Sequence, residues 1–286
     1  MFARRHYSVP LPGRPPLVLG ARTLVMGIIN VTPDSFADGG VRFDAERAID
    51  GGLQMIEDGA DLLDVGGEST RPGAEPLAAD EELRRVLPVV ERLAAGLRVP
   101  VSIDTYKAVV AKEAVARGAA IVNDVGGLRF DPDMAQVVAD TRAALVLMHN
   151  RGRSREMYRE AVYADVASEI AGELEESMSR ATAAGVARDA IILDPGLGFA
   201  KRAAHSYEAL AHLDAIAALD RPVLCGPSRK SFLKDAIGDK EPAGREWGTA
   251  AAVAASVLLG AHIVRVHGVR EMVDVVRVAD RIAAGR

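Results

Sequence analysis

Leu24-Val25-Met26-Gly27-Ile28-Ile29 runs apolar and stops abruptly at Asn30. A short apolar run that ends in a polar residue or glycine has the form of a buried strand entering a loop. The form recurs along the chain. Leu62-Leu63-Asp64-Val65 ends at Gly66-Gly67, Val101-Ser102-Ile103 at Asp104, and Ile121-Val122 at Asn123-Asp124. Ala144-Leu145-Val146-Leu147-Met148 ends at His149, and Ile191-Ile192-Leu193 at Asp194-Pro195. Val223-Leu224-Cys225 ends at Gly226-Pro227, and Ile263-Val264-Arg265-Val266 at His267. From Asn30 to His267 these ends fall about 34 residues apart, and a parallel strand with its crossover helix takes roughly 30 or more.

The stretches between the runs carry helical periodicity. Ala45, Ala48, Ile49 and Leu53 share one face, as do Leu83, Val86, Leu87, Val90 and Leu93. Continuously apolar strands alternating with amphipathic helices mean a parallel sheet covered by helices. Eight such units favour closure, so the expected fold is α/β: a single (β/α)8 TIM barrel over residues 21–286. Residues 1–20 are expected to form a short N-terminal extension covering the barrel's N-terminal end. No further domain boundary, low-complexity tract or close sequence repeat is evident.

Composition narrows the class of function. Lys and Arg number 35 against 40 Asp and Glu, for a net charge of −5, which argues against a nucleic-acid groove, since that needs clustered cations. A hydrophobic content of 49% with 26% charged residues is that of a chain with a large core. Cys225 is the single cysteine, so neither an intrachain disulfide nor a Cys-rich zinc site can form. The start of the chain lacks a signal-peptide pattern, and the most membrane-like stretch, residues 247–261, is shorter than the ~20 apolar residues a span needs. A soluble, cytoplasmic protein is expected, with residues 247–261 a buried helix.

In such a barrel the active site lies at the C-terminal face, on strand ends and the loops beyond them. There the sequence places Asn30, Asp104, Asn123, Asp124, His149, Asp194, Lys230, Arg265 and His267. One Asp or Asn after a strand is ordinarily a helix cap or turn former. Nearly every strand end doing so together points to donors and acceptors around a polar heterocycle, with Arg265 and His267 as ligands for an anion.

The motifs are more specific. They are Gly27-Ile28-Ile29-Asn30-Val31-Thr32-Pro33-Asp34-Ser35-Phe36, Asp64-Val65-Gly66-Gly67-Glu68-Ser69-Thr70-Arg71-Pro72-Gly73, Ser102-Ile103-Asp104-Thr105 and Val122-Asn123-Asp124-Val125. Asp194-Pro195-Gly196-Leu197-Gly198-Phe199, Gly226-Pro227-Ser228-Arg229-Lys230-Ser231-Phe232 and Arg265-Val266-His267 complete the series. In this order, from about residue 24 to 282, the set resembles the dihydropteroate synthase family, the sulfonamide-target enzymes of folate biosynthesis.

The resemblance implies a transferase that condenses 6-hydroxymethyl-7,8-dihydropterin pyrophosphate with 4-aminobenzoate, giving 7,8-dihydropteroate and pyrophosphate. It assigns Asp104, Asn123, Asp194 and Lys230 to the pterin, with Met148 either against the ring or in the core. It gives Asn30 to a magnesium ion carried by the diphosphate, and Thr70, Arg265, His267 and Asn30 to the diphosphate itself. Ser231, Phe36 and Pro72 fall to the aminobenzoate pocket. Lys230, Arg71 and Asp104 are the expected catalytic residues, Arg71 capping the departing anion. A homodimer is implied, its face on residues 247–261 or 272–282. Pyrophosphate departs before the amine attacks, which needs no activated protein nucleophile.

Two other readings share the barrel: a methyltetrahydrofolate-binding methyltransferase domain and a catalytically silent pterin-binding paralogue. The first has no use for the Ser69-Thr70-Arg71-Pro72 and Ser228-Arg229-Lys230-Ser231 elements. The second would be expected to have lost loop or diphosphate residues. The chain also departs from the family pattern. Ala200 stands before Lys201 where glycine is usual, His205-Ser206-Tyr207 replaces a common asparagine, and residues 150–157 lack a proline. That last segment carries Arg151, Arg153 and Arg155 instead, read as solvated charge.

Overall fold

The computed structural model describes residues 4–31, 41–70, 73–96, 98–153, 158–159 and 161–285, with backbone alone for residues 41–44. Phe36, Arg71, Pro72 and Arg155 lie outside the described residues.

The chain opens with an antiparallel hairpin, β1 (Tyr7–Leu11) and β2 (Arg14–Leu19). Strands and helices then alternate. β3 (Leu24–Asn30), α1 (Val41–Glu57), β4 (Leu62–Gly66), α2 (Ala79–Gly96) and β5 (Val101–Asp104) come first. They are followed by α3 (Ala108–Ala116), β6 (Ile121–Asp124), α4 (Met134–Thr141), β7 (Ala144–Met148), α5 (Val166–Ala183) and β8 (Ile191–Asp194). The last quarter holds α6 (Ala203–Ala211), α7 (Leu213–Ala217), β9 (Leu224–Cys225), α8 (Lys234–Ile237), α9 (Glu246–Leu258), β10 (Ile263–Val266) and α10 (Val269–Ala284).

Strands β3 to β10 form one sheet of eight in the order β8-β7-β6-β5-β4-β3-β10-β9, every named pair parallel. The ends meet where Leu193 bridges Val223 and its N–H donates to the Pro222 carbonyl at 2.9 Å, so the barrel closes through one short contact. β9 is short because Pro222 and Pro227 on either side have no N–H to donate.

Strand parity sorts the side chains. Val25, Leu63, Val65, Ile103, Val122, Leu145, Leu193 and Val264 point outward into the larger apolar cluster, with the helices. Their neighbours Met26, Leu62, Ile121, Val146, Ile192, Leu224 and Ile263 point inward and form a second cluster with Val9, Leu11, Leu17 and Leu19 of the hairpin. The hairpin therefore plugs the N-terminal end of the barrel, and the plug is dry: Val9 and Leu19 are fully buried. Two residues further along each strand, at the same inward parity, stand Asp64, Asp104, Asn123, Met148, Asp194 and Arg265. The apolar floor thus gives way to a polar layer at the C-terminal face, one pleat repeat higher.

The helix over residues 247–261 is α9, and it is buried on one side only. Ala252, Val253, Ser256 and Val257 are covered, while Trp247 is 87% exposed at its first turn. Among the described residues no helix is long and apolar enough to cross a membrane.

Candidate active site

Arg265 organises the polar layer. Its Nε donates to Asp64 Oδ2 and its Nη2 to Asp104 Oδ2, both at 2.6 Å. Asn123 Nδ2 donates to the same Asp64 oxygen at 2.9 Å. The register explains the meeting: Asp104 lies opposite Gly66 on one side and Asn123 on the other. Burial works against the Arg265 charge, but Asp64 and Asp104 outweigh it and raise its pKa. Burial also pushes Asp104 up, with Arg265 opposing.

The second oxygens of this group are its most informative feature. Asp64 Oδ1, Asp104 Oδ1 and Asn123 Oδ1 are buried and have no hydrogen-bond partner. An orphaned buried acceptor costs about 1–3 kcal/mol. Three such acceptors on adjoining strands call for N–H donors from a ligand.

Asp194 stands across the layer, next to Met148 in register. One oxygen accepts the Gly196 N–H at 2.7 Å, and burial raises the carboxyl to about 6. Gly196 has φ +65, and a Cβ there would lie 2.0 Å from the His149 carbonyl oxygen, so only glycine fits this turn. Met148 belongs to neither large cluster; it packs with Val125, Phe199 and Ala200 in a small apolar patch beside the polar layer. Lys230 Nζ sits 3.8 Å from the centre of the Phe199 ring, a cation–π contact. Burial first, then the nearby Arg265, lowers Lys230 to about 8.

The remaining candidates ring the mouth. His267 Nδ1 lies 2.9 Å from Ser228 Oγ, which also accepts the His267 backbone N–H at 3.2 Å. Thr70, half-buried, lines a cavity of about 180 Å³ with Glu68, Tyr106, Val125, Phe130 and Phe199. Ser231 is exposed, its Oγ 3.3 Å from the Tyr158 hydroxyl. Asn30 is half-buried at the end of β3, opposite Gly66.

The structure thus brings together Asp104, Asn123, Asp194, Lys230, Met148 and Arg265, with Asn30, Thr70 and His267 at the rim. Arg265 turns Nε and Nη2 to the two carboxylates. Asp64 was not singled out in the sequence, since it reads as one polar residue inside an apolar run. Its inward parity was the available signal. Arg151 is not solvated charge: it bonds Glu169 and Glu173 and lies over the Tyr163 ring. Arg153 lies over Tyr106 and Phe130. Asp124, another of the strand-end residues, is a turn former whose oxygens accept the N–H groups of Gly126 and Leu128.

Comparison with known proteins places this geometry. A profile of the pterin binding enzyme family matches residues 26–267. The dihydropteroate synthase of Bacillus subtilis is 46% identical over 259 residues, covering 91% of this chain and 88% of the relative. The crystal structure of the Yersinia pestis dihydropteroate synthase with a sulfonamide drug superposes with a TM-score of 0.90 at 38% identity, covering 98% of this chain and 100% of that one. The dihydropteroate synthase of Xanthomonas albilineans in complex with 7,8-dihydropteroate gives 0.85 at 41% identity, over 96% of this chain and 99% of that one. The chain belongs to the pterin binding enzymes and, within them, to the dihydropteroate synthase family.

Proposed function

We propose that the chain condenses 6-hydroxymethyl-7,8-dihydropterin pyrophosphate with 4-aminobenzoate, forming 7,8-dihydropteroate and pyrophosphate in folate biosynthesis. The observation that carries this reading is the set of three buried acceptors without donors, Asp64 Oδ1, Asp104 Oδ1 and Asn123 Oδ1. A pterin presents a 2-amino group and ring N–H groups along one edge, the pattern such acceptors require. The 7,8-dihydropteroate held by the Xanthomonas albilineans relative supports the same ligand here.

The edge of the ring goes to Asp64, Asp104, Asn123 and Asp194, with Met148 and Phe199 against its flat face. Lys230 faces the ring from above Phe199. Arg265 orients Asp64 and Asp104 by one hydrogen bond to each, and opposes the burial that pushes Asp104 up. The reaction breaks the bond between the pterin methylene and the diphosphate oxygen, and the electron pair leaves with the diphosphate. The aminobenzoate nitrogen then bonds to the methylene carbon and loses a proton. The departing diphosphate falls to Thr70, Arg265, His267 and Asn30, with Arg71 assigned to cap it. Ser231, Phe36 and Pro72 are assigned to the amine substrate; Arg71, Phe36 and Pro72 lie outside the described residues. Preorganised donors aimed at a leaving anion act most strongly where water is excluded.

Among the described residues no group of His, Cys, Asp or Glu could hold a metal by itself. The carboxamide of Asn30 fits a magnesium ion that arrives on the diphosphate, because such an ion keeps waters and phosphate oxygens as most of its ligands. When bound, the ion would neutralise charge on the leaving oxygens. A homodimer, with exposed Trp247 of α9 and Val278 and Ile282 of α10 as apolar contacts, belongs to the same proposal, as does a cytoplasmic location.

An assay with both substrates and magnesium tests the reading, following pyrophosphate and dihydropteroate together. Equal amounts of both products are expected. Pterin binding without turnover would instead identify a silent paralogue.

A further inference from the structure

Lys201 is among the most deeply buried side chains of the protein, 1% exposed, and plays no part in the chemistry outlined above. Its Nζ lies 2.8 Å from His149 Nδ1, 3.1 Å from the Phe199 carbonyl oxygen and 3.5 Å from the His149 carbonyl oxygen. Three polar atoms thus surround the amine, and burial lowers its pKa to about 7. His149 continues the contact, its Nε2 3.2 Å from Glu173 Oε2 on α5, and its backbone N–H donates to the Asp194 carbonyl at 2.9 Å. One amine therefore ties the end of β7 to the turn beyond β8. Those two strands supply Met148 and Asp194.

The turn it holds is strained. Ala200, between Phe199 and Lys201, is fully buried with φ +48. A Cβ disfavours that left-handed conformation, which persists only where its surroundings over-determine it. Here the Ala200 carbonyl accepts the Tyr163 hydroxyl at 2.9 Å on one side, and Lys201 grips the Phe199 carbonyl on the other. The Phe199 ring in turn carries Lys230. An amine buried only to fill space would be replaced at less cost by a thioether or alkyl chain.

We propose that Lys201 is a positioning residue for the pterin site: with His149 and Tyr163 it holds the strained Ala200 turn so that Phe199 and, through it, Lys230 meet the ring. The inference rests on the pterin reading above and assigns Lys201 no contact with substrate.

Calorimetric binding of 6-hydroxymethylpterin tests it, using the unaltered protein, Lys201→Met, Tyr163→Phe, and Lys201→Met combined with Ala200→Gly, each checked for a cooperative melt. Misplacement by about an ångström can cost on the order of a hundredfold, and Lys201→Met is expected to weaken binding about tenfold to a hundredfold on that scale. Tyr163→Phe, which removes one hydroxyl and should fold whether or not Lys201→Met does, is expected to weaken it about threefold to tenfold. Ala200→Gly relieves the backbone and should restore melting temperature to the double variant without restoring affinity. Affinity that recovers along with stability would mean that Lys201 serves the fold alone, and unaltered affinity in folded Lys201→Met or Tyr163→Phe would equally overturn the inference. Absence of pterin binding by the unaltered protein would remove the functional reading, and this inference with it.

Discussion

Asp104 offers one oxygen to Arg265 and keeps the other buried and bare. That division is what lets a single carboxylate neutralise a cation and still receive a ligand. Asp104→Asn keeps the shape but replaces a charged acceptor by a neutral one, and hydrogen bonds to charged groups are worth about 1.5–3 kcal/mol. A loss of at least about tenfold in kcat/KM for the pterin substrate is expected, with a cooperative melt retained. The titrating groups set a pH window. Burial raises Asp104 to about 7 and Asp194 to about 6, and their charged-acceptor roles are lost as pH falls through those values. Lys230 sits at about 8 through burial and Arg265, and its positive charge is lost as pH rises through that value. A bell-shaped profile of kcat/KM between these limbs follows, and Lys230→Arg should move the basic limb out of reach because a guanidinium stays charged. A basic limb that stays near 8 in that variant would show that Lys230 does not set it.

At the scale of elements, the β1–β2 hairpin separates stability from activity. Leu19 is fully buried in the floor cluster, away from the polar layer. Leu19→Ala should destabilise the protein by about 2–5 kcal/mol in denaturant unfolding. Its turnover at 25 °C, per folded molecule, should be unchanged. The strands were legible because each is a short apolar run, and the strand ends Asn30, Asp104, Asn123 and Asp194 because each breaks one. Asp64 was hidden for the converse reason: Val65 follows it and the run carries on outward. Parity alone puts it with Asp104. The Lys201–His149–Glu173 contact could not be read at all, since it depends on the rotation of α5 about its own axis. Ala200 was legible as an oddity, an alanine where glycine is usual, and the structure shows the oddity to be strain, at φ +48.

At the scale of the molecule, the barrel brings eight strand ends to one mouth and leaves the opposite end to the hairpin. Loops can then vary without touching the floor. Two assembly-level expectations follow from the proposed function. Sedimentation should find a dimer, and Trp247→Glu should shift it toward monomer, because that 87% exposed indole would no longer be apolar. Asn30→Ala should remove most of the magnesium dependence of diphosphate binding by calorimetry, and equal affinities with and without the metal in the unaltered protein would deny Asn30 that role. The central claim is that three bare acceptors, Asp64 Oδ1, Asp104 Oδ1 and Asn123 Oδ1, recognise the amino-bearing edge of a pterin. It is tested most directly by comparing the calorimetric affinities of 6-hydroxymethylpterin and 6-hydroxymethyllumazine, in which an oxygen acceptor replaces the 2-amino donor. The lumazine is expected to bind more weakly by about a hundredfold or more, as at a site left with unpaired buried polar groups. Equal affinities would contradict it.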